Sequence, residues 1–514
     1  MSSEVGHRAQ EVRQKVREGT WLDPSLFCHN LPTQPDPSVG LVLVTGASGY
    51  IGGRLVPELI ARGYRLRVLV RAPSPEYARR WPGAEITVGD ARDPESLRLA
   101  LAGVTTAYYL VHSMLLGPKQ FASADVEAAS NFRRLAEEEH LERIIYLGGL
   151  GDIGTRLSRH LRSRMEVAEE LKRGKVPATI LRAAIIIGSG SASYEIIKHL
   201  VATLPVIPVP RAIRSRCQPI AVRDVIKYLV GVLETPETAG KSFDIGGPDV
   251  LTYEAMMKTV GRILQKQRLF IHTRILSIRT YAYLASLLTP VPSQITRCLM
   301  ESLRNDVTCQ DDAIRQVISF EPISYREAIV RALSREEQDR VHTRWSDAYP
   351  PAHALAMKLG ELLKGPRFTA KYSTTTAKDA ASLFEAICRI GGKDGWFHQN
   401  WMWRMRGMVD RLLLGVGTSR GRRHLGTLAI HDVVDFWRVE DVRENERLLL
   451  RAEMKLPGKA WLEFRIDDAE GKRNLSVAAY YHTTSFAGRI YWYIFLPFHN
   501  SIFSGLIRQI ERRS

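Results

Sequence analysis

Thr45-Gly46-Ala47-Ser48-Gly49-Tyr50-Ile51-Gly52 constrains this chain more than any other stretch. The apolar run Leu41-Val42-Leu43-Val44 precedes it and predicts a buried strand. Arg54 to Arg62 follows with helical spacing and is closed by Gly63. In that context each glycine has a use. Gly46 suits a tight turn, Gly49 lets the backbone approach a pyrophosphate, and Gly52 lets the helix pack close to the strand. The first turn of the helix then offers free N–H groups and a positive dipole end to phosphates. The expectation is a dinucleotide site built from Gly46, Ser48, Gly49, Tyr50, Ile51 and Gly52. A plain glycine turn is the competing reading, and the strand and helix on either side argue against it.

The next strand bears on which dinucleotide. Tyr64-Arg65-Leu66-Arg67-Val68-Leu69-Val70 ends at Arg71, and no acid follows until Glu76. In a Rossmann unit that end lies beside the adenosine ribose. A carboxylate there would accept the ribose 2′-OH, whereas arginine forks onto a 2′-phosphate. NADP(H) is therefore expected in preference to NAD(H). The bland alternative is a solvated arginine at a strand end. A third strand ends in Ile86-Thr87-Val88-Gly89-Asp90-Ala91, which brings Asp90 and Ala91 to the adenine side. A helix N-cap region, with Asp93-Pro94-Glu95 behind it, is the other use for Asp90. Ala107 to Ser113 and Arg143 to Gly149 predict fourth and fifth strands, with helical segments between. Such alternation predicts an α/β fold with a parallel, doubly wound sheet.

Residues 40–335 resemble an extended or atypical short-chain dehydrogenase/reductase, of the NmrA-like kind. The likeness rests on the three glycines, the Gly89-Asp90 pair, Asn131, Gln218 to Val225, and Phe243 to Pro248. The resemblance implies a proton relay of a Tyr and a Lys four residues later on one helix. Here the equivalent helix, Ser158 to Leu171, carries His160 in the Tyr place and Arg164 in the Lys place. Gly148-Gly149 stand where a serine would polarise the substrate. His160 is the candidate proton shuttle near neutral pH, with His112 as a neighbour. Arg164 is the candidate ribose or phosphate ligand, since it cannot deprotonate. A solvated basic helix face competes with both roles.

At 514 residues the chain exceeds one core and predicts two or three domains. We expect a flexible arm over 1–38, the nucleotide domain with its substrate side over 39–335, a linker over 336–365, and a second domain over 366–514. In the last, strand-like runs (Val434–Val439, Arg447–Met454, Ala460–Ile466, Leu475–His482) precede a long apolar segment, Ile490 to Ile507. A curved sheet gripping a C-terminal helix is predicted. This half resembles the uncharacterised domain often fused behind such reductases, itself similar to polyketide-cyclase and lipid-transfer domains. Trp396, Trp401, Met402, Trp403, Met405 and Met408 are expected to be core or to line an apolar pocket. Pro497, His499 and Asn500 interrupt Ile490–Ile507, which favours a packed helix over a bilayer span, with a peripheral membrane contact as the further use.

The five cysteines show no paired or zinc spacing, so free thiols, a reducing cytoplasmic setting and no metal are expected. A net charge of +17 attracts anions, but no nucleic-acid motif accompanies it, and nucleic acid is not expected as a partner. The expected activity is an NADP(H)-dependent oxidoreductase acting on an apolar carbonyl or quinone-like small molecule. A non-catalytic NADP(H)-binding redox sensor or assembly factor is the first alternative. A sugar-nucleotide epimerase is the second, and the missing Tyr and Lys weigh most against it. Oligomeric state is not legible.

Overall fold

Leu41–Thr45 forms β1, and all five of its residues are buried. Alternate residues serve opposite faces: Val42 and Val44 join one apolar cluster, Leu41 and Leu43 another. A strand buried on both faces reads as an unbroken apolar run, as this one does. The computed structural model describes residues 26–74, 76–112, 121–151, 157–210, 215–273, 277–337, 343–347, 359–362, 365–392, 394–413, 415–417, 428–469 and 472–514. The chain divides into two compact units close to residue 351.

In the N-terminal unit, β1 is joined by β2 (Arg65–Val70), β3 (Glu85–Val88), β4 (Thr106–Tyr109), β5 (Arg143–Gly149), β6 (Ala178–Ala183) and β7 (Ser242–Ile245). Their order is β7-β6-β5-β4-β1-β2-β3, every neighbouring pair parallel. Five helices matter for the site: α1 (Gly52–Ala61), α2 (Phe121–Glu138), α3 (Arg159–Lys172), α4 (Ala192–Thr203) and α5 (Val222–Leu233). A sixth, α6 (Ser293–Ser302), follows later in the chain. This is the expected doubly wound Rossmann sheet. The strand order reverses between β1 and β4, which opens a crevice at the carboxyl ends. The fourth strand stops at Tyr109, short of the expected Ser113, because the Leu110 amide donates to Thr45 Oγ1 at 3.1 Å instead of extending the ladder. Ser113 itself lies outside the described residues.

The expected flexible arm is held over its last third. Phe27, Cys28 and Leu31 are buried in the main core. The Phe27 and Cys28 amides donate to the Glu58 carboxylate. Arg62 donates to the Cys28 and Thr33 carbonyls and pairs with Glu234 at 2.5 Å. Polar composition concealed this anchoring, because it is made by backbone groups and three apolar side chains. Residues 1–25 lie outside the described residues. The expected linker is also shorter at its start: a helix runs Tyr325–Glu337, and Thr343–Asp347 belong to the N-terminal unit.

The C-terminal unit holds β8 (Phe368–Thr376), β9 (Val433–Val434), β10 (Trp437–Arg443), β11 (Arg447–Ala452), β12 (Lys459–Ala469) and β13 (Lys472–His482). They form one antiparallel sheet in the order β8-β13-β12-β11-β10-β9. Helices α7 (Ala380–Cys388), α8 (Asn400–Leu412) and α9 (Phe486–Arg513) complete it. Phe503, Leu506, Ile507 and Ile510 of α9 join the core with Phe464 and Val477 of the sheet. Sequence patterning misses β8 and α7. The edge strand β8 alternates half-buried and exposed residues, and its Thr and Ser positions carry little apolar signal. Trp396 and Trp403 are core, stacked at 4.2 Å. Trp401, Met405 and Met408 are exposed.

Candidate functional site

The turn between β1 and α1 has the geometry that its glycines suggest. Gly46 has φ +65°, and a Cβ there would stand 2.6 Å from the Leu110 carbonyl oxygen. A Cβ on Gly52 would stand 2.4 Å from the Gly46 oxygen, so only glycine permits this approach. The Gly49 amide donates to the Gly46 carbonyl at 2.9 Å and closes the turn. Ile51 is the N-cap of α1 and supplies no side-chain cap. Within that first turn the Gly53 amide donates to the Gly49 carbonyl and the Arg54 amide to the Ile51 carbonyl, each at 3.0 Å, so what the helix offers a ligand here is the positive end of its dipole.

Gly46, Ser48, Gly49, Tyr50, Ile51, Gly52, Arg71, Asp90 and Ala91 all line one cleft of about 360 Å³. That volume falls within the range of small-molecule sites, roughly 300–1,000 Å³. At the β2–β3 end, burial pulls the Arg71 guanidinium down, Asp90 opposes this, and Arg92 adds to it. Arg92 also lines the cleft and lies 3.6 Å from Asp90. Sequence reading passed over Arg92, although two arginines straddling an Asp is a signal for an anion. Asp90 is not the helix cap: Asp93 takes that place and accepts from the Glu95 and Ser96 amides.

The β5–β6 end carries the relay residues. His160 and Arg164 stand one turn apart on α3 and both line the cleft, as do Gly148, Gly149 and His112. Arg164 Nη2 pairs with Asp125 Oδ2 of α2 at 2.8 Å, and both side chains are buried. Tyr146 donates its hydroxyl to the Arg164 carbonyl at 3.2 Å. The reading of α3 as a solvated basic face is corrected at these positions. Asp125 escaped sequence reading; its one signal is a carboxylate set among the buried Ala124, Ala128 and Ala129 of α2. Three buried atoms of this cluster lack a hydrogen-bond partner, Arg164 Nε, His160 Nδ1 and Asp125 Oδ1. Orphaned donors and acceptors beside a cleft suit a polar ligand.

The electrostatics correct one expectation. Burial and the Arg164 charge push His160 down to about 3. Desolvation at the cleft, then the Arg164 charge, take His112 down to about 4, although the residue itself is exposed. Both imidazoles are neutral at physiological pH, so neither is the expected neutral-pH proton shuttle. Burial alone would lower Arg164, but Tyr146 and Asp125 hold it above its ordinary value. Burial raises Tyr146 to about 12. The fixed charges at this end are thus the Arg164 cation and its Asp125 partner.

Beyond the relay the wall turns apolar. Ile196 and Leu200 come from α4, and Ile295, Leu299 and Met300 from α6, with Met257 between. Each is a hydrocarbon or thioether side chain, so this part of the cleft fits an apolar molecule.

Residues 46–203 match a family model described as NAD(P)H-binding. Residues 362–506 match one described as a protein of unknown function (DUF2867). The N-terminal unit is thus an NAD(P)H-binding Rossmann domain, and the C-terminal unit is a separate domain. Among curated relatives, a 3-beta-hydroxysteroid dehydrogenase of Mycolicibacterium neoaurum is 32% identical over 21% of this chain and 31% of its own length. A mitochondrial NADH dehydrogenase [ubiquinone] 1 alpha subcomplex subunit 9 of Arabidopsis thaliana is 27% identical over 41% and 54%. A ceramide reductase of Caulobacter vibrioides is 30% identical over 38% and 62%. The chain spans less than two thirds of the length of each. The solved triphenylmethane reductase of a Citrobacter species, complexed with NADP(H), is 19% identical with a TM-score of 0.47, over 57% of this chain and 99% of that one.

Proposed function

We propose that this protein is an NADPH-dependent reductase of an apolar carbonyl or quinone-like compound. The observation that carries the reading is one continuous cleft. Its glycine turn and arginines suit a phosphorylated dinucleotide, and its far wall suits hydrocarbon. Gly46, Ser48, Gly49, Tyr50, Ile51 and Gly52 would hold the pyrophosphate, Asp90 and Ala91 the adenine side, and Arg71, with Arg92, the 2′-phosphate. NADPH supplies a hydride donor when bound. Arg164, held by Asp125, offers a fixed cation to negative charge developing on a substrate oxygen. Neutral His160 offers a hydrogen bond beside it, and the proton comes from solvent. Two of the relatives carry steroid and ceramide in their names, which agrees with an apolar substrate.

The test is NADPH oxidation by the purified protein against a panel of ketones, aldehydes and quinones of rising hydrophobicity. Turnover that rises with substrate hydrophobicity and disappears in Arg164→Met is expected. NADPH binding without turnover on any member would instead favour a non-catalytic NADP(H)-binding role. One observation favours that second reading: no Tyr–Lys pair lines the cleft among the described residues, and both histidines there are held neutral.

A peripheral membrane contact fits the same reading, since it would bring the protein to an apolar substrate. Among the described residues no helix is long and apolar enough to cross a membrane. On α8, Trp401, Met405 and Met408 are exposed at helical spacing; on α9, Phe486, Ile490 and Tyr493 are. Exposed Arg404 and Arg489 accompany them. Such a face suits an anionic lipid surface. Co-sedimentation with phosphatidylglycerol vesicles, lost in Trp401→Asp/Ile490→Asp, tests it; equal recovery of both proteins with the vesicles excludes it.

A further inference from the structure

Thr343–Asp347 lies far along the chain from the glycine turn, yet it is packed onto it. Thr343 is fully buried. Its hydroxyl donates to the Tyr50 carbonyl at 2.8 Å. Arg54, itself buried, ties the two segments together. Its Nη1 donates to the Tyr50 and Thr343 carbonyls, each at 3.1 Å, and Nη2 to the Ser189 carbonyl at 2.9 Å. The same guanidinium sits 4.2 Å from the centre of the Tyr50 ring. The Trp345 amide donates to the Gly190 carbonyl at 2.9 Å. Gly190 has φ +78°, and a Cβ there would stand 2.6 Å from the Thr343 oxygen. Trp345 lines the same cleft as Tyr50 and Ser191.

The place of this strap within the cleft is informative. It fastens directly to Tyr50, before α1, and to Gly190, after β6, while Arg54 links it to Ser189. Arg71 directly follows β2, which lies on the other side of β1 from β6 in the sheet order. We propose that Thr343 and Trp345 are positioning residues of the dinucleotide site, covering the nicotinamide–ribose–phosphate half of the ligand. An indole is a rigid, flat surface with little entropy to lose, which suits a wall against which a ring or ribose is held. Thr343 acts through Tyr50, whose carbonyl it fixes and which lines the same cleft. The strap is supplied by chain that follows the whole sheet, so the site is completed only when that segment docks. This inference rests on the dinucleotide reading and is independent of whether turnover occurs.

The experiment compares two ligands on the full-length protein. NADPH carries both halves; adenosine 2′,5′-bisphosphate carries only the half assigned to Arg71. In Trp345→Ala, NADPH affinity by calorimetry falls about tenfold, equivalent to about 1.4 kcal/mol, while affinity for the bisphosphate is unchanged. Trp345→Phe keeps a flat ring and retains most of the NADPH affinity, and Thr343→Val shows the Ala pattern at smaller size. Equal loss for both ligands means a merely structural strap and overturns the proposal. So does NADPH affinity unchanged in both Trp345 variants. Should the wild type bind neither ligand, the dinucleotide reading itself fails first.

Discussion

At the glycine end of the cleft, shape is set by backbone. Gly46, Gly49 and Gly52 bring one turn, one helix terminus and one carbonyl together, and the Thr343 hydroxyl braces that turn at the Tyr50 carbonyl. At the relay end, chemistry is set by side chains from two helices. Arg164 and His160 come from α3 and Asp125 from α2, and their charge states follow from how they meet. A backbone-built site is local in sequence and intolerant of change. A side-chain-built site is spread through the chain and can be retuned by one partner. The difference orders what mutations should do.

The largest effect belongs to the backbone end. Gly52→Val places branched carbon where even a Cβ meets the Gly46 oxygen at 2.4 Å. NADPH binding by calorimetry should vanish. Unchanged binding would mean that the turn does not hold the dinucleotide.

The next effect probes the relay end. Asp125→Ala leaves Arg164 as a buried cation without its partner. Breaking a buried pair from one side costs about 3–5 kcal/mol. A fall of that size in urea unfolding of the N-terminal unit is expected, and Asp125→Ala/Arg164→Met should recover much of it. A double variant as unstable as the single one would show that packing, not charge, sets the loss.

Arg71→Ala sharpens the contrast, because the cofactor contact proposed for it is made by a side chain and should fail partially. A charge-assisted hydrogen bond contributes about 1.5–3 kcal/mol, so NADPH should bind at least about tenfold more weakly. NADH, which lacks the 2′-phosphate, should bind as before. Equal losses for both nucleotides would remove the 2′-phosphate assignment.

The same contrast explains what was legible in the residues alone. Gly46 to Gly52 could be read because strand, turn and helix are contiguous. β5 was placed to the residue, Arg143–Gly149, because its apolar run is unbroken. The strap at Thr343 and Trp345 was hidden, since it looks like linker until the fold brings it to Tyr50. Asp125 was hidden for the same reason, as one acid in a helix has no partner until α3 packs beside it. His160 was located but its chemistry was misjudged, because residue type suggests a titration near neutrality and burial beside a cation removes it. β8 was missed because an edge strand needs few apolar residues.

The smallest effect is an absence of change, and it follows from that last point. The His160 ring takes its proton only near about 3 and the His112 ring near about 4. An ordinary histidine titrates near 6.5. If the protein reduces carbonyls with Arg164 as the charge that stabilises the oxygen, the rate should be level from about pH 5 to about pH 8, since neither histidine changes state across the window that an ordinary imidazole would mark. His160→Ala should lower the rate without tilting this profile. An inflection near 6.5 that His160→Ala abolishes would restore the histidine as proton shuttle and put the relay reading in error. The stability of the unliganded protein has a sign of its own. Between about 3 and 6.5 the unfolded chain binds a proton at His160 that the folded chain refuses. The contribution from this group is therefore complete above about pH 6.5 and drains away as pH falls. Urea unfolding at about pH 7 and about pH 4.5 should show a smaller acid loss in His160→Asn than in the wild type, because asparagine carries no proton in either state. An equal acid loss in both proteins would mean that the ring titrates in the folded protein as it does in the unfolded one.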